Sequence, residues 1–239
     1  MTLVAPCPHK PGWLPATMAA LLLAVALSAS AARPAALKPF TATYQASYMG
    51  LRGTGTMTLV AVGGDRWKYS LEIDGAVARL SQNTVFQADG GHWKPLSNSD
   101  SSLLLIKKSS KHATYDWDRR EARWSGNVKP DRAGPVALRA GDLDAMLVNL
   151  AIVRDVQAGE ASHSYRMVDD GRAKQMTFRV VGKDTIDVDG KSHAATRVSM
   201  PDGSRETVLW IAEGVPVPMR ILRRHNGDDE MDLRLRSLH

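Results

Sequence analysis

The stretch RAGDLDAMLVNLAIVRDVQAG, residues 139–159, decides how the rest of the chain is read. Its spacing predicts a helix over 142–157, about 22 Å of rise for residues 143–157 at helical geometry. Leu143, Met146, Leu147, Leu150 and Val153 fall on one face, and Val148, Ile152 and Val156 make a second. Polar positions survive at Asp144, Asn149 and Asp155. A surface helix carries one apolar stripe, whereas a helix that is apolar on most sides is buried on most sides. Asp142 or Asp144 can cap its amino end and complement the dipole, and Gly159 ends it. A buried Asp144 would need donors from backbone amides or an arginine, which makes it a structural switch point rather than a general base.

What flanks the helix is β-like. TYQASY puts Tyr44, Ala46 and Tyr48 on one face, and WKYSLEI does the same with Trp67, Tyr69, Leu71 and Ile73. Asp-Gly and Asn-Gly pairs at 170–171, 189–190, 202–203 and 226–227 supply the positive φ angles of tight hairpins. LLLIKKSSKHATYDW reads as one strand segment before the turn DRRE. Many short alternating segments with turns every eight to twelve residues or so argue for a sandwich or barrel. The expected fold is therefore mainly β: a strongly curved antiparallel sheet or open β-barrel enfolding one central helix. Met146, Leu147, Leu150 and Val153 on that helix, with Trp67 and Trp210 on strands, are the candidates to line a ligand cavity.

Residues 1–31 read as a cleaved signal peptide, with Lys10, an unbroken apolar run MAALLLAVALS and the small residues Ala29 and Ala31. That run is too short for an ordinary membrane-spanning helix. Residues 32–239 then form a single β-rich domain, or two lobes joined near 126–141, and nothing in them reads as a transmembrane segment. Cys7 is the single cysteine and precedes the apolar run, so the exported chain has no disulfide and depends on its hydrophobic core. The expected location is the periplasm. The net charge of +6 is interspersed, without the basic tract that nucleic-acid binding uses. It is compatible with an approach to an anionic membrane surface.

Catalytic and metal signatures are missing. There is no G-x-S-x-G, H-E-x-x-H, phosphate loop or S-x-x-K, and Gly53-Thr54-Gly55 lacks the third glycine of a dinucleotide site. His163 and His193 can be imagined near Ser164 or Ser192, but no strained nucleophile turn supports a triad. Asp169-Asp170, Asp187-x-Asp189 and Asp228-Asp229-Glu230 sit at predicted hairpin turns, which use Asp before Gly without any calcium. Arg220, Arg223 and Arg224 face Arg234 and Arg236 across a hairpin rich in Asp and Glu, an arrangement for cross-strand ion pairs. No catalytic residue, metal or cofactor is expected.

Ordered segments carry a resemblance: FTATYQASYMGLRGTGTMTL, HATYDWDRREARW, GDLDAMLVNL, VDDGRAKQMTFRVVGKDTIDVDGKSHAATRV and LWIAEGVPVPMRI. Together they resemble the exported proteobacterial family called domain of unknown function 3108. The resemblance implies an envelope location and a β-rich fold, and brings no reaction. At the helix, Asp144, Ala145 and Met146 match the family pattern loosely, and Leu147 stands where that pattern often has serine. Three functions follow in order. The first is a periplasmic, non-enzymatic binding or carrier module for a hydrophobic small molecule or lipid acyl chain. The second is a structural or interaction protein of the envelope with a filled core and a protein partner. The third is a hydrolase of envelope polymers.

Overall fold

The computed structural model describes residues 37–89 and 91–239. The expected signal segment, 1–31, lies outside them. The first seven strands are β1 (Phe40–Tyr48), β2 (Leu51–Gly63), β3 (Arg66–Gly75), β4 (Ala78–Asp89), β5 (His92–Leu104), β6 (Lys107–Asp116) and β7 (Glu121–Gly126). A short strand β8 (Val136–Ala137) leads to the helix α1 (Ala145–Gln157). Six more strands complete the chain: β9 (Ser162–Asp169), β10 (Arg172–Val188), β11 (Lys191–Asp202), β12 (Arg205–Ala212), β13 (Arg220–His225) and β14 (Asp228–Leu238). All fourteen belong to one antiparallel sheet in the order β8-β7-β6-β5-β4-β3-β2-β1-β14-β13-β12-β11-β10-β9. It curls into a nearly closed barrel around α1.

Each strand pairs with the next in sequence except β8 and β9, which lie at the two ends of the sheet, and β1 pairs with β14 as well as with β2 and so joins the two halves. Phe40, Ala42, Tyr44 and Ala46 alternate inward along β1. The turns at Asp189-Gly190 and Asn226-Gly227 have both residues at positive φ, the geometry that matches strand twist in a two-residue hairpin. Between β7 and α1, residues 127–144 close the seam between the outermost strands. Val136 and Ala137 pair with β7, while Leu143 bridges Met167 of β9. Tyr115 on β6 also donates across the seam to the Val168 carbonyl at 3.0 Å.

The structure differs from the sequence expectation at two places. β5 ends at Leu104 and β6 starts at Lys107, so LLLIKKSSKHATYDW is a hairpin and not one strand. Nothing at Leu105-Ile106 advertises a turn. The reversal is fixed instead by pairing, with Leu104 held between Ala78 of β4 and Lys107 of β6. The helix begins at Ala145, three residues after its predicted start. Leu143 is consequently a strand-like bridge residue, since its N–H and C=O bond to Arg166 and Val168 of β9.

The helix buries Met146, Leu147, Val148, Leu150, Ala151, Ile152, Val153 and Val156, both of its apolar faces. They share one core with Tyr44, Tyr69, Phe86, Phe178, Leu209 and Leu233 from the surrounding strands. Such side chains contribute about 1.5–3 kcal/mol each on burial. Leu147→Ala is expected to lower the free energy of unfolding by about 2–5 kcal/mol. Urea denaturation followed by tryptophan fluorescence measures this, and a loss within error of zero would mean the helix is not packed in the barrel.

Candidate functional site: the barrel interior above the helix

The helix fills one end of the barrel. Its last turn reaches that end, where Arg154 donates to the Gly91 carbonyl in the β4–β5 turn at 2.8 Å. Gln157 donates to the carbonyls of Ala212 and Val215 in the β12–β13 loop at 2.7 and 2.9 Å. The amino end stops midway up the wall, at Thr84 of β4. Six residues of β4 continue past that level to Ala78, roughly 20 Å of strand.

Asp144 makes the junction. It is the N-cap, and one carboxylate oxygen accepts the Leu147 N–H at 2.8 Å. The other oxygen accepts from the Thr84 hydroxyl and from the Asn98 amide, the latter at 3.3 Å. Asn98 also donates to the Thr84 hydroxyl at 3.2 Å. One carboxylate thus ties the helix to β4 and β5. Asp142 works on the seam instead. It accepts the Arg139 N–H at 2.7 Å and pairs with Arg166 of β9, which locks the seam-closing segment.

Above this junction the inner face is layered, because strand alternation stacks residues in register. On β4 the column is Phe86, Thr84, Gln82, Leu80. Thr84 stands opposite Asn98, and Gln82 opposite Asp100, which in turn stands opposite Lys111 of β6. Gln82 donates to Asp100 at 3.3 Å, and Lys111 pairs with Asp170 at 3.0 Å. This polar band has excess acid. Burial pushes the Asp144 carboxyl up to about 6 against the hydrogen bonds it accepts. Burial, with the charges of Asp144 and Asp100, pushes Asp169 up to about 7. Burial raises Asp100 as well.

The next layer is apolar. A groove of about 140 Å³ opens at the barrel mouth, with Ala46, Tyr48, Ile73, Leu80 and Met231 among its lining residues. It exists because small residues stand where side chains would fill it. Ala46 pairs with Gly53, and Gly53 with Gly75. A Cβ on Gly53 would overlap the Asp74 carbonyl, so the close approach of β2 and β3 requires glycine there.

The cavity candidates named from the sequence lie elsewhere. Met146, Leu147, Leu150 and Val153 are packed in the core. Trp67 is half-buried against the same core. Trp210 is held by its N–H bond to Asp184 at 2.7 Å, with Arg220 over its ring at 4.7 Å. None of the six lines the groove. His163 and His193 stand opposite Phe178 and Ile186, roughly 26 Å apart along β10, so they form no pair. Arg220 pairs with Asp232, Arg223 with Glu230 and Arg224 with Asp229. Among the described residues no cluster of three His, Cys, Asp or Glu is placed to hold a metal. Thr84, Gln82, Asn98 and Asp100 are site residues that the sequence alone did not single out. Their signal was polar residues continuing an inward face whose other members, Leu80 and Phe86, are apolar.

A family model described as protein of unknown function (DUF3108) matches residues 42–234. The chain belongs to the DUF3108 family. No curated protein matches it. Among solved structures, this DUF3108 chain is similar to a β-barrel-like protein of domain of unknown function DUF1849 from Brucella abortus. The two share 12% identity with a TM-score of 0.51, over 84% of this chain and 96% of that one. At that identity the likeness concerns the fold alone. The match to the DUF3108 model spans β1 to β14 and so includes the groove, the polar band and Asp144.

An ionised Asp144 is the costlier state of the native protein. Its pKa is raised from 3.8 to about 6, so the native state holds the proton more tightly than the unfolded chain does. Its contribution to stability is fully present below the unfolded value and is lost as pH rises through about 6. Asp144→Asn keeps a capping oxygen and removes the titration. The expected result is a shallower fall of stability between roughly pH 4 and 6 than in the parent protein, measured by urea midpoints across pH. Identical slopes would show that Asp144 does not titrate in this window.

Proposed function

We propose that this protein is a periplasmic, non-enzymatic binding or carrier barrel for a hydrophobic ligand such as a lipid acyl chain. The observation that carries the reading is the apolar groove at the mouth, lined by Tyr48, Ile73, Leu80 and Met231, above an interior that the helix closes at the other end. Ligand sites are concave and mostly apolar with a few placed polar groups, and this groove adjoins the Gln82–Asp100 pair. Its volume of about 140 Å³ suits a ring or the end of an acyl chain, since cavities of about 150 Å³ hold a molecule the size of benzene. Export to the periplasm rests on the signal-peptide pattern of residues 1–31.

The test is a titration with a fluorescent fatty acid, comparing the parent protein with Ile73→Trp. The larger side chain occupies the groove from a half-buried wall position, so binding is expected to weaken at least about tenfold while Tm stays within a few degrees. Equal affinity in the two proteins would remove the groove as the binding site. Failure of both to bind would instead favour an envelope interaction protein with a filled interior.

A further inference from the structure

Antiparallel alternation places the β1–β2, β3–β4 and β5–β6 tips at the mouth end of the barrel, the end that the helix does not reach. They are neighbours. Leu105 donates its N–H to the Val77 carbonyl at 2.8 Å, and Tyr48, Leu51 and Val77 line one shared groove. All three tips are apolar and exposed: Met49 at 71%, Leu105 at 69% and Ile106 at 95%, with Leu51, Val77 and Leu104 beside them. The three other tips at this end differ, being Asp170-Gly171, Gly203-Ser204 and Asn226-Gly227, the last directly beside the β1–β2 tip, where Met49 donates its N–H to the Glu230 carbonyl at 2.9 Å. The apolar residues therefore cluster on one half of the rim.

Backbone geometry adds a second observation. Met49 and Leu105 hold φ of +47° and +54°. Glycine or asparagine occupies that region at lower cost, and at Asp170, Asp189 and Asn226 this chain uses residues suited to it, while Arg120 in the β6–β7 turn is the one other large residue there among the described residues. At the apolar tips, large side chains sit in a strained conformation and still point into solvent. Turn geometry does not itself call for apolar side chains at these positions.

Charge supplies the partner. Arg52, Arg79, Lys107 and Lys108 lie within three residues of these tips and are exposed. Arg79 pairs with Asp74, whereas Arg52, Lys107 and Lys108 make no ion pair among the described residues. Apolar tips ringed by unpaired cations match an anionic bilayer, where the side chains enter the acyl boundary and the cations meet phosphate. We infer that the β1–β2, β3–β4 and β5–β6 tips dock on the surface of an anionic phospholipid membrane. Docking turns the barrel mouth toward the lipid. The inference stands on the tips and does not depend on what the groove holds.

The test is flotation of protein recovered from a bacterial periplasm with vesicles of phosphatidylethanolamine and phosphatidylglycerol, against vesicles of phosphatidylcholine alone. The parent protein should float with the anionic vesicles and lose binding as salt is raised. Ile106→Ser and Leu105→Asn should each weaken flotation at least about tenfold. Lys107→Glu with Lys108→Glu should weaken it toward the phosphatidylcholine level. Leu105→Asn should also keep or raise Tm, because asparagine suits the positive φ, which separates lost docking from lost folding. Val181→Ser, at an exposed valine of β10 away from the tips, should bind as the parent does. Unchanged flotation of Ile106→Ser and Leu105→Asn overturns the inference, as does an equal loss in Val181→Ser. A photocrosslinker at position 106 that captures an envelope protein while vesicles do not bind overturns it in favour of a protein partner.

Discussion

The structure turns on one buried carboxylate. Asp144 closes the amino end of α1 through the Leu147 N–H, and the same side chain is anchored to the wall by Thr84 and Asn98. A helix with two apolar faces could slide or rotate inside a greasy tube, because burial is non-directional. Hydrogen bonds to a charged group are directional, and leaving such a group unmet in the interior costs several kcal/mol. Asp144 therefore fixes the height and rotation of the helix. That height decides which end of the barrel is filled and which end keeps a groove.

A second constraint acts at the seam. A sheet whose outermost strands are β8 and β9 would expose two unpaired edges. The chain resolves this locally by laying residues 138–143 between them, with Asp142 gripping Arg166 and Leu143 bridging Met167. The segment that seals the barrel leads directly into the residue that positions the helix. Closure and helix placement are consequently one event, spread over Asp142, Leu143 and Asp144.

Much of this was legible in the sequence, for reasons that can be named. The two-faced apolar helix announced its burial, and Asp-Gly and Asn-Gly pairs announced the β9–β10, β10–β11, β11–β12 and β13–β14 hairpins. The family was visible in segments such as GDLDAMLVNL. What escaped depends on register. Gln82, Thr84, Asn98 and Asp100 look like ordinary solvent-facing polar residues until pairing brings them onto one inward face. The reversal at Leu105-Ile106 has no turn chemistry and exists through its partner strands. Helix residues such as Leu150 look like cavity lining in a sequence, but a helix packed on both faces leaves them no free surface. The open space arises instead from Ala46, Gly53 and Gly75, where side chains are small or missing.

These parts describe a barrel with a filled end, a polar band and an open apolar end, and the proposed occupant of the open end is a hydrophobic molecule. The most direct measurement is native mass spectrometry, with lipid extraction, on the protein purified from a bacterial periplasm. The account predicts a stoichiometric hydrophobic adduct that organic solvent removes. A mass equal to the polypeptide alone after gentle transfer would contradict it.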